Sequence, residues 1–232
     1  MFKNEVPTAK GEQTRTAIFE SALELFRDRG FDNTTMQDIA AAAGVAKSAA
    51  YYYFPSKEAI VTAYYDAIQS EQERLCTIVF AQTNDLRKRL EAALMTKFDL
   101  AQDDRKLLGI IFRYAGESSH PLSCLGEATS AVRYRAMRSF SEALSIERLP
   151  KDLDQLLPLA LWSLQMGLLV LFLYDSTKRQ QRTRRLASGA LDLTEKLLML
   201  AKLPILKPVR KRLLTLLDEA DLLPPFNEVS TK

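Results

Sequence analysis

The chain has 232 residues, 47% of them hydrophobic, and a formal net charge of +3. That is enough apolar material for a sizeable core in one or two domains, and too small a surplus of charge to mark a polyanion-binding protein by itself. Eight glycines, nine prolines and no sustained apolar/polar alternation predict an all-α fold and exclude a sheet-based one.

In chain order, residues 1–11 are polar and carry no secretory pattern, so a flexible tail and a cytoplasmic location are expected. Thr35-Met36-Gln37-Asp38 has the [ST]-x-x-[DE] spacing of a capping box, in which hydroxyl and carboxylate satisfy the first free amides of a helix. Ile39, Ala40 and Ala43 supply its apolar face, and Gly44 supplies the left-handed residue that ends it. Ala46–Tyr53 then forms a second helix of about two turns. The turn alone fits an ordinary helical hairpin as well as a helix-turn-helix. Tyr51, Tyr52 and Tyr53 shift the balance: at 100° per residue no single buried stripe hides all three, and an exposed phenol suits a phosphate oxygen. Lys47 and Lys57 bracket the same surface.

Beyond this pair, a long linking helix is predicted through Ala81, followed by helices near Asp85–Gln102, Arg105–Ala115 and Leu122–Leu144, with breaks at Pro121 and Pro150. Asp103-Asp104 reads as a favourable charge at a helix start. Leu156–Leu173 is uncharged and long enough to cross a membrane, but Pro158, Ser163 and Gln165 within it favour a buried interface helix, so no stable membrane insertion is expected. Ala187, Ala190, Leu191, Thr194, Leu197, Leu198 and Ala201 recur every three or four residues along the next helix. After Pro204 and Pro208, the stripe Val209, Leu213, Leu216, Leu217 and Ala220 predicts an extra helix that packs by this face and turns Arg210, Lys211 and Arg212 to water; an interfacial membrane helix is the alternative.

Charge placement cuts against a simple argument. Residues 1–60 hold seven Lys or Arg against eight Asp or Glu, whereas residues 175–214 hold eleven against three, including Lys178, Arg179, Arg182, Arg184 and Arg185. The basic run reads as a solvated face; an acidic partner or a membrane surface is the alternative, and with the apolar segment it makes a membrane-associated helical protein the second functional reading.

Ala22-Leu23-Glu24-Leu25-Phe26, Gly30-Phe31, Thr34-Thr35, Asp38-Ile39-Ala40, Ala43-Gly44-Val45, Tyr51, Phe54 and Ser56-Lys57-Glu58 together resemble the amino-terminal domain of the TetR family of bacterial repressors, over roughly Glu12–Gln72. The resemblance implies a three-helix DNA-binding domain at 12–72 and a larger helical effector-binding and dimerisation domain at 73–232. It assigns Gln37 and Lys47 to base edges, Thr35, Ser48, Tyr51, Tyr53 and Lys57 to phosphates, and Tyr52 to either. Ala46 and Ala49 lack the hydroxyls often found there, and Ala50 replaces a larger aliphatic residue. The implied function is a transcriptional regulator that represses from a pseudo-palindromic operator on double-stranded DNA and is released by a small organic effector. Reading two half-sites requires a homodimer, with Leu168, Leu171, Phe172, Ala187, Ala190, Leu191, Thr194 and Leu198 as candidate interface residues.

For the effector, Phe98, Phe112, Tyr114, His120, Trp162, Gln165 and Met166 are candidate pocket residues, being aromatic or polar groups among apolar helices. No catalytic residues, metal or cofactor are expected. A single histidine excludes sites that need two, Cys76 and Cys124 are far apart, and no phosphate loop, nucleophile elbow or zinc-protease helix occurs.

Overall fold

The computed structural model describes residues 9–114, 117 and 119–223, and all regular structure among them is helical. The chain divides into two compact units. The first runs through Tyr65 and includes Asp104–Ala128; the second takes Asp66–Asp103 and everything from Thr129.

The first unit contains α1 (Ala9–Arg29), α2 (Met36–Ala42), α3 (Lys47–Tyr53), the beginning of α4 (Lys57–Gln82) and α6 (Arg105–Arg113). Ala9–Gly11 belong to α1 rather than to a tail, and the rest of the expected tail lies outside the described residues. Ile18, Ala22, Leu23 and Phe26 form the buried stripe of α1, spaced so that one face meets α2, α3 and α6. Phe31, Met36, Ile39, Ala50, Phe54, Ile60 and Val61 complete this core. Each large side chain buried this way stabilises the unit by roughly 1.5–3 kcal/mol.

The second unit is built from the rest of α4, with α5 (Leu86–Leu100), α7 (Ser130–Leu144), α8 (Lys151–Tyr174), α9 (Gln181–Ala201) and α10 (Lys207–Glu219). The Leu122–Leu144 helix of the sequence reading starts only at Ser130. Residues 119–126 are mostly turns, with Gly126 donating to the Ser123 carbonyl, and a short 3-10 turn at Glu127–Thr129 leads into the helix. α8 is long and apolar because α5, α7, α9 and α10 pack around it, burying Leu153, Leu156, Leu161, Leu168, Leu169 and Phe172. The mean hydropathy of 2.1 over an 18-residue window of α8 thus reflects a core position in a helical bundle, and the membrane reading finds no support. Phe98 and Phe172 stack across α5 and α8 at 5.2 Å.

Two buried arginines close helix ends. Arg89 donates to the Ala143 and Glu142 carbonyls at the end of α7, at 3.2 and 2.6 Å. Arg210, expected in water, is only 7% exposed: it pairs with Asp152 at 2.7 Å and donates to the carbonyls of Ala201 and Leu203 at the end of α9. The expected packing stripe of α10 is therefore turned outward, with Val209, Leu213 and Leu216 exposed, because capping α9 and neutralising Asp152 set the helix's rotation.

Candidate nucleic-acid interface

α2 starts as its sequence predicts. The Thr35 hydroxyl accepts from the Asp38 amide at 3.1 Å, and Asp38 accepts from the Thr35 amide at 2.9 Å and from its hydroxyl at 2.7 Å. These bonds, led by the hydroxyl's, hold the Asp38 carboxyl below its ordinary range. At the other end Val45 donates to the Ala40 carbonyl and Gly44 to that of Ala41, the two bonds of a Schellman turn, with Gly44 at φ +65°. The direction in which the chain enters α3 is therefore set by backbone hydrogen bonds.

α3 turns Ala50, which is fully buried, toward the domain and leaves Lys47, Ser48, Tyr51 and Tyr52 exposed. Tyr52 is 82% exposed. Tyr53 is half-buried with its ring edge-on to Tyr52 at 5.1 Å. Thr35 and Gln37 are exposed at the start of α2. The methyl of Ala50 gives a physical role to one departure from the family pattern: it adds no bulk between α3 and the core.

Lys57 is placed differently from a free surface cation. Its ammonium donates to the Phe31 carbonyl at 2.7 Å and lies 4.4 Å from the Phe31 ring centre, fastening the start of α4 to the turn before α2. One of its three donors thus serves the domain itself. Asp104 stands at the start of α6 as expected; it makes no capping bond there, and its carboxylate also binds Arg27 and Tyr64.

The candidate pocket residues do not form one set. Phe112, Tyr114 and His120 belong to the first unit, where Tyr114 stacks on His120 at 3.7 Å and donates to Asp32 at 3.3 Å. Phe98, Trp162, Gln165 and Met166 belong to the second, where Gln165 is fully buried and donates to the Ala93 carbonyl at 3.1 Å. Sequence reasoning missed the polar groups near Gln165. Gln72 and Glu73 follow Gln69 by three and four residues on α4, a polar stripe where a core helix would carry apolar side chains, and that spacing was the available signal.

The proposed dimer residues divide too. Leu168, Phe172, Ala187, Leu191 and Leu198 are buried in the unit's own core, Ala190 and Thr194 are half-buried, and Leu171 is exposed. The exposed apolar seam of α9 is instead Leu186, Leu193, Leu197 and Leu200, with Leu171 and Tyr174 exposed on α8. α9 is apolar on two sides, and spacing alone selected the inward one.

Residues 18–64 match the family model described as bacterial regulatory proteins, tetR family. The chain is 31% identical over 108 residues to the uncharacterized HTH-type transcriptional regulator YdgC of Bacillus subtilis (strain 168), covering 45% of this chain and 55% of that one. It thus spans about half the length of this curated relative. Among solved structures, the fatty acid degradation regulator FadR of Bacillus halodurans superposes with a TM-score of 0.62 at 16% identity, over 82% of this chain and 96% of that one. Thermus thermophilus FadR, a TetR family transcriptional repressor solved in complex with lauroyl-CoA, gives 0.56 at 21% identity, over 80% and 93%. The likeness to both structures establishes a shared all-helical fold of a helix-turn-helix domain joined to a larger helical domain. Residues 18–64 thus form a helix-turn-helix domain of the type that defines the TetR family of bacterial regulatory proteins.

Proposed function

We propose that the protein is a cytoplasmic, dimeric DNA-binding transcriptional regulator, acting as a repressor that a small organic ligand releases from its operator. The observation that carries this reading is the exposed face of α3: Lys47, Ser48, Tyr51 and Tyr52 project from a helix fixed at its approach by a capping box and a Schellman turn. Lys47 and Gln37 are suited to base edges, since long polar side chains reach them in a major groove. Thr35, Ser48, Tyr51 and Tyr53 are suited to phosphates, Lys57 to a phosphate through its remaining donors, and Tyr52 to either.

Dimerisation is supported by the seam Leu186, Leu193, Leu197 and Leu200, which keeps to one helix face at spacings of seven, four and three residues and stays exposed in the single chain. The second unit is the part that senses ligand in this reading, and α4 contributes residues to both units. A ligand that binds one arrangement of the second unit better shifts the population of the whole chain.

Selection of the full chain on random duplexes tests the reading. The expected product is a pseudo-palindrome whose half-sites lie one or more helical turns apart. Failure to enrich any duplex would reject it.

A further inference from the structure

The second unit holds a polar cluster that packing does not require. Gln72 of α4 and Gln165 of α8 both donate their side-chain amides to one backbone carbonyl, that of Ala93 on α5. They are 1% and 0% exposed, and the Oε1 atom of each is buried without a hydrogen-bond partner. Leaving one such acceptor unmade is costly, and an apolar side chain would fill either place without that cost.

One helical turn along α5 from Ala93, about 5.4 Å, Lys97 donates to Gln69 Oε1 at 2.8 Å. No carboxylate lies within ion-pair distance of Lys97 among the described residues, and Glu73 is held by Arg135 at 2.6 Å. Burial pushes the Lys97 amine down to about 8. Leu94 and the stacked Phe98–Phe172 pair are the apolar neighbours of these positions along α5 and α8. Two side chains with unsatisfied acceptors thus meet at the Ala93 carbonyl, one helical turn along α5 from a lysine whose hydrogen bond goes to a neutral amide.

We infer that Gln72, Gln165 and Lys97 read the polar head of the effector, and that this head is a carboxylate with a hydroxyl close beside it on an apolar body. The hydroxyl shares its single hydrogen between the two Gln oxygens in a bifurcated bond, and the carboxylate accepts from Lys97 Nζ. The inference rests on the second unit being the ligand-sensing part of the regulator.

The test is calorimetric titration of the full chain with two matched sets of probes: β-hydroxydecanoate, decanoate and decanol, and phenyllactate, phenylpropanoate and phenylpropanol. In at least one set the hydroxy acid should bind about tenfold tighter than the plain acid, and the alcohol should not bind measurably. Gln165→Leu and Gln72→Leu should each narrow the gap between hydroxy acid and acid. Lys97→Met should abolish binding of both acids while the melting temperature stays level or rises. Equal binding of acid and hydroxy acid, binding by the alcohols, no binding in either set, or wild-type affinities in the variants would overturn the inference. A parallel mobility-shift assay on the selected duplex separates this failure from the other. A duplex released only by neutral compounds removes the ligand class and leaves the regulator, whereas the absence of any bound duplex removes the regulator itself.

Discussion

Arg27 and Asp104 stand 77 positions apart and meet in a two-point ion pair, with Nε–Oδ1 at 2.6 Å and Nη2–Oδ2 at 2.9 Å. Tyr64 adds its hydroxyl to the same carboxylate at 3.2 Å, and burial, together with the charge of Asp104, pushes its phenol well up. Three separate stretches of the first unit, α1, α4 and the start of α6, therefore converge on one side chain. Asp104→Ala should destabilise the unit by about 1–2 kcal/mol, the low end of a charge-assisted pair, because Arg27 is partly exposed. Urea unfolding of this variant, Arg27→Ala and the double variant checks it; strictly additive losses would show that the pair contributes nothing.

Gly44→Ala places a methyl where nothing lies within 4 Å, so any cost is conformational rather than steric with neighbours. At φ +65° that cost is about 1–2 kcal/mol. A loss of this size in chemical unfolding is expected, together with weaker duplex binding. An unchanged stability would mean that the turn relaxes.

Lys47→Ala and Tyr51→Phe should separate base reading from phosphate anchoring. The lysine variant should relax preference at one base position, costing about 1–3 kcal/mol of discrimination. The tyrosine variant should weaken every duplex alike and leave the selected consensus unchanged. Repeating the duplex selection with each variant decides between these outcomes.

The Lys97 amine loses its proton in the folded chain near pH 8 but in the unfolded chain nearer its ordinary value of 10.5. Between these values the unfolded state binds more protons, so stability should rise with pH from about 8 to about 10, by on the order of 2 kcal/mol. Lys97→Met should flatten this rise. A parallel profile in the variant would locate the dependence in another group.

Charges introduced on the outer seam of α9 should dissociate the proposed dimer while sparing the chain's own core. Leu193 and Leu197 are 59% and 60% exposed, so Leu193→Glu with Leu197→Glu should leave the helical signal intact and halve the mass seen in sedimentation. Leu191→Ala, at a fully buried position, should instead unfold the unit more easily, by roughly 2–5 kcal/mol.

The beginning and end of α2, the length of α3 and the exposure of at least one of Tyr51, Tyr52 and Tyr53 were legible in the sequence, because capping, a left-handed glycine and helical periodicity act within a few residues. The same is true of α8 as a long apolar helix. Which of two apolar faces α9 buries was not legible, since both repeat at helical spacing and only the packing of α5 and α8 against one of them distinguishes them. Arg210 was misplaced, and the hold of Lys57 on its own domain was missed, for a related reason: their partners, Asp152 and the Phe31 carbonyl, are 58 and 26 residues away.

The sequence by itself determined the all-helical class, the capping box and Schellman turn around Gly44, and the phenols and lysine of α3, all consequences of local backbone chemistry. Only the tertiary structure decided that Asp104 binds Arg27 and Tyr64, that Phe112, Tyr114 and His120 belong with the first unit, and that Gln72 and Gln165 share the Ala93 carbonyl. Hydrogen bonds and ion pairs between distant segments form where the core's packing brings donors to acceptors, and no spacing along the chain records that meeting.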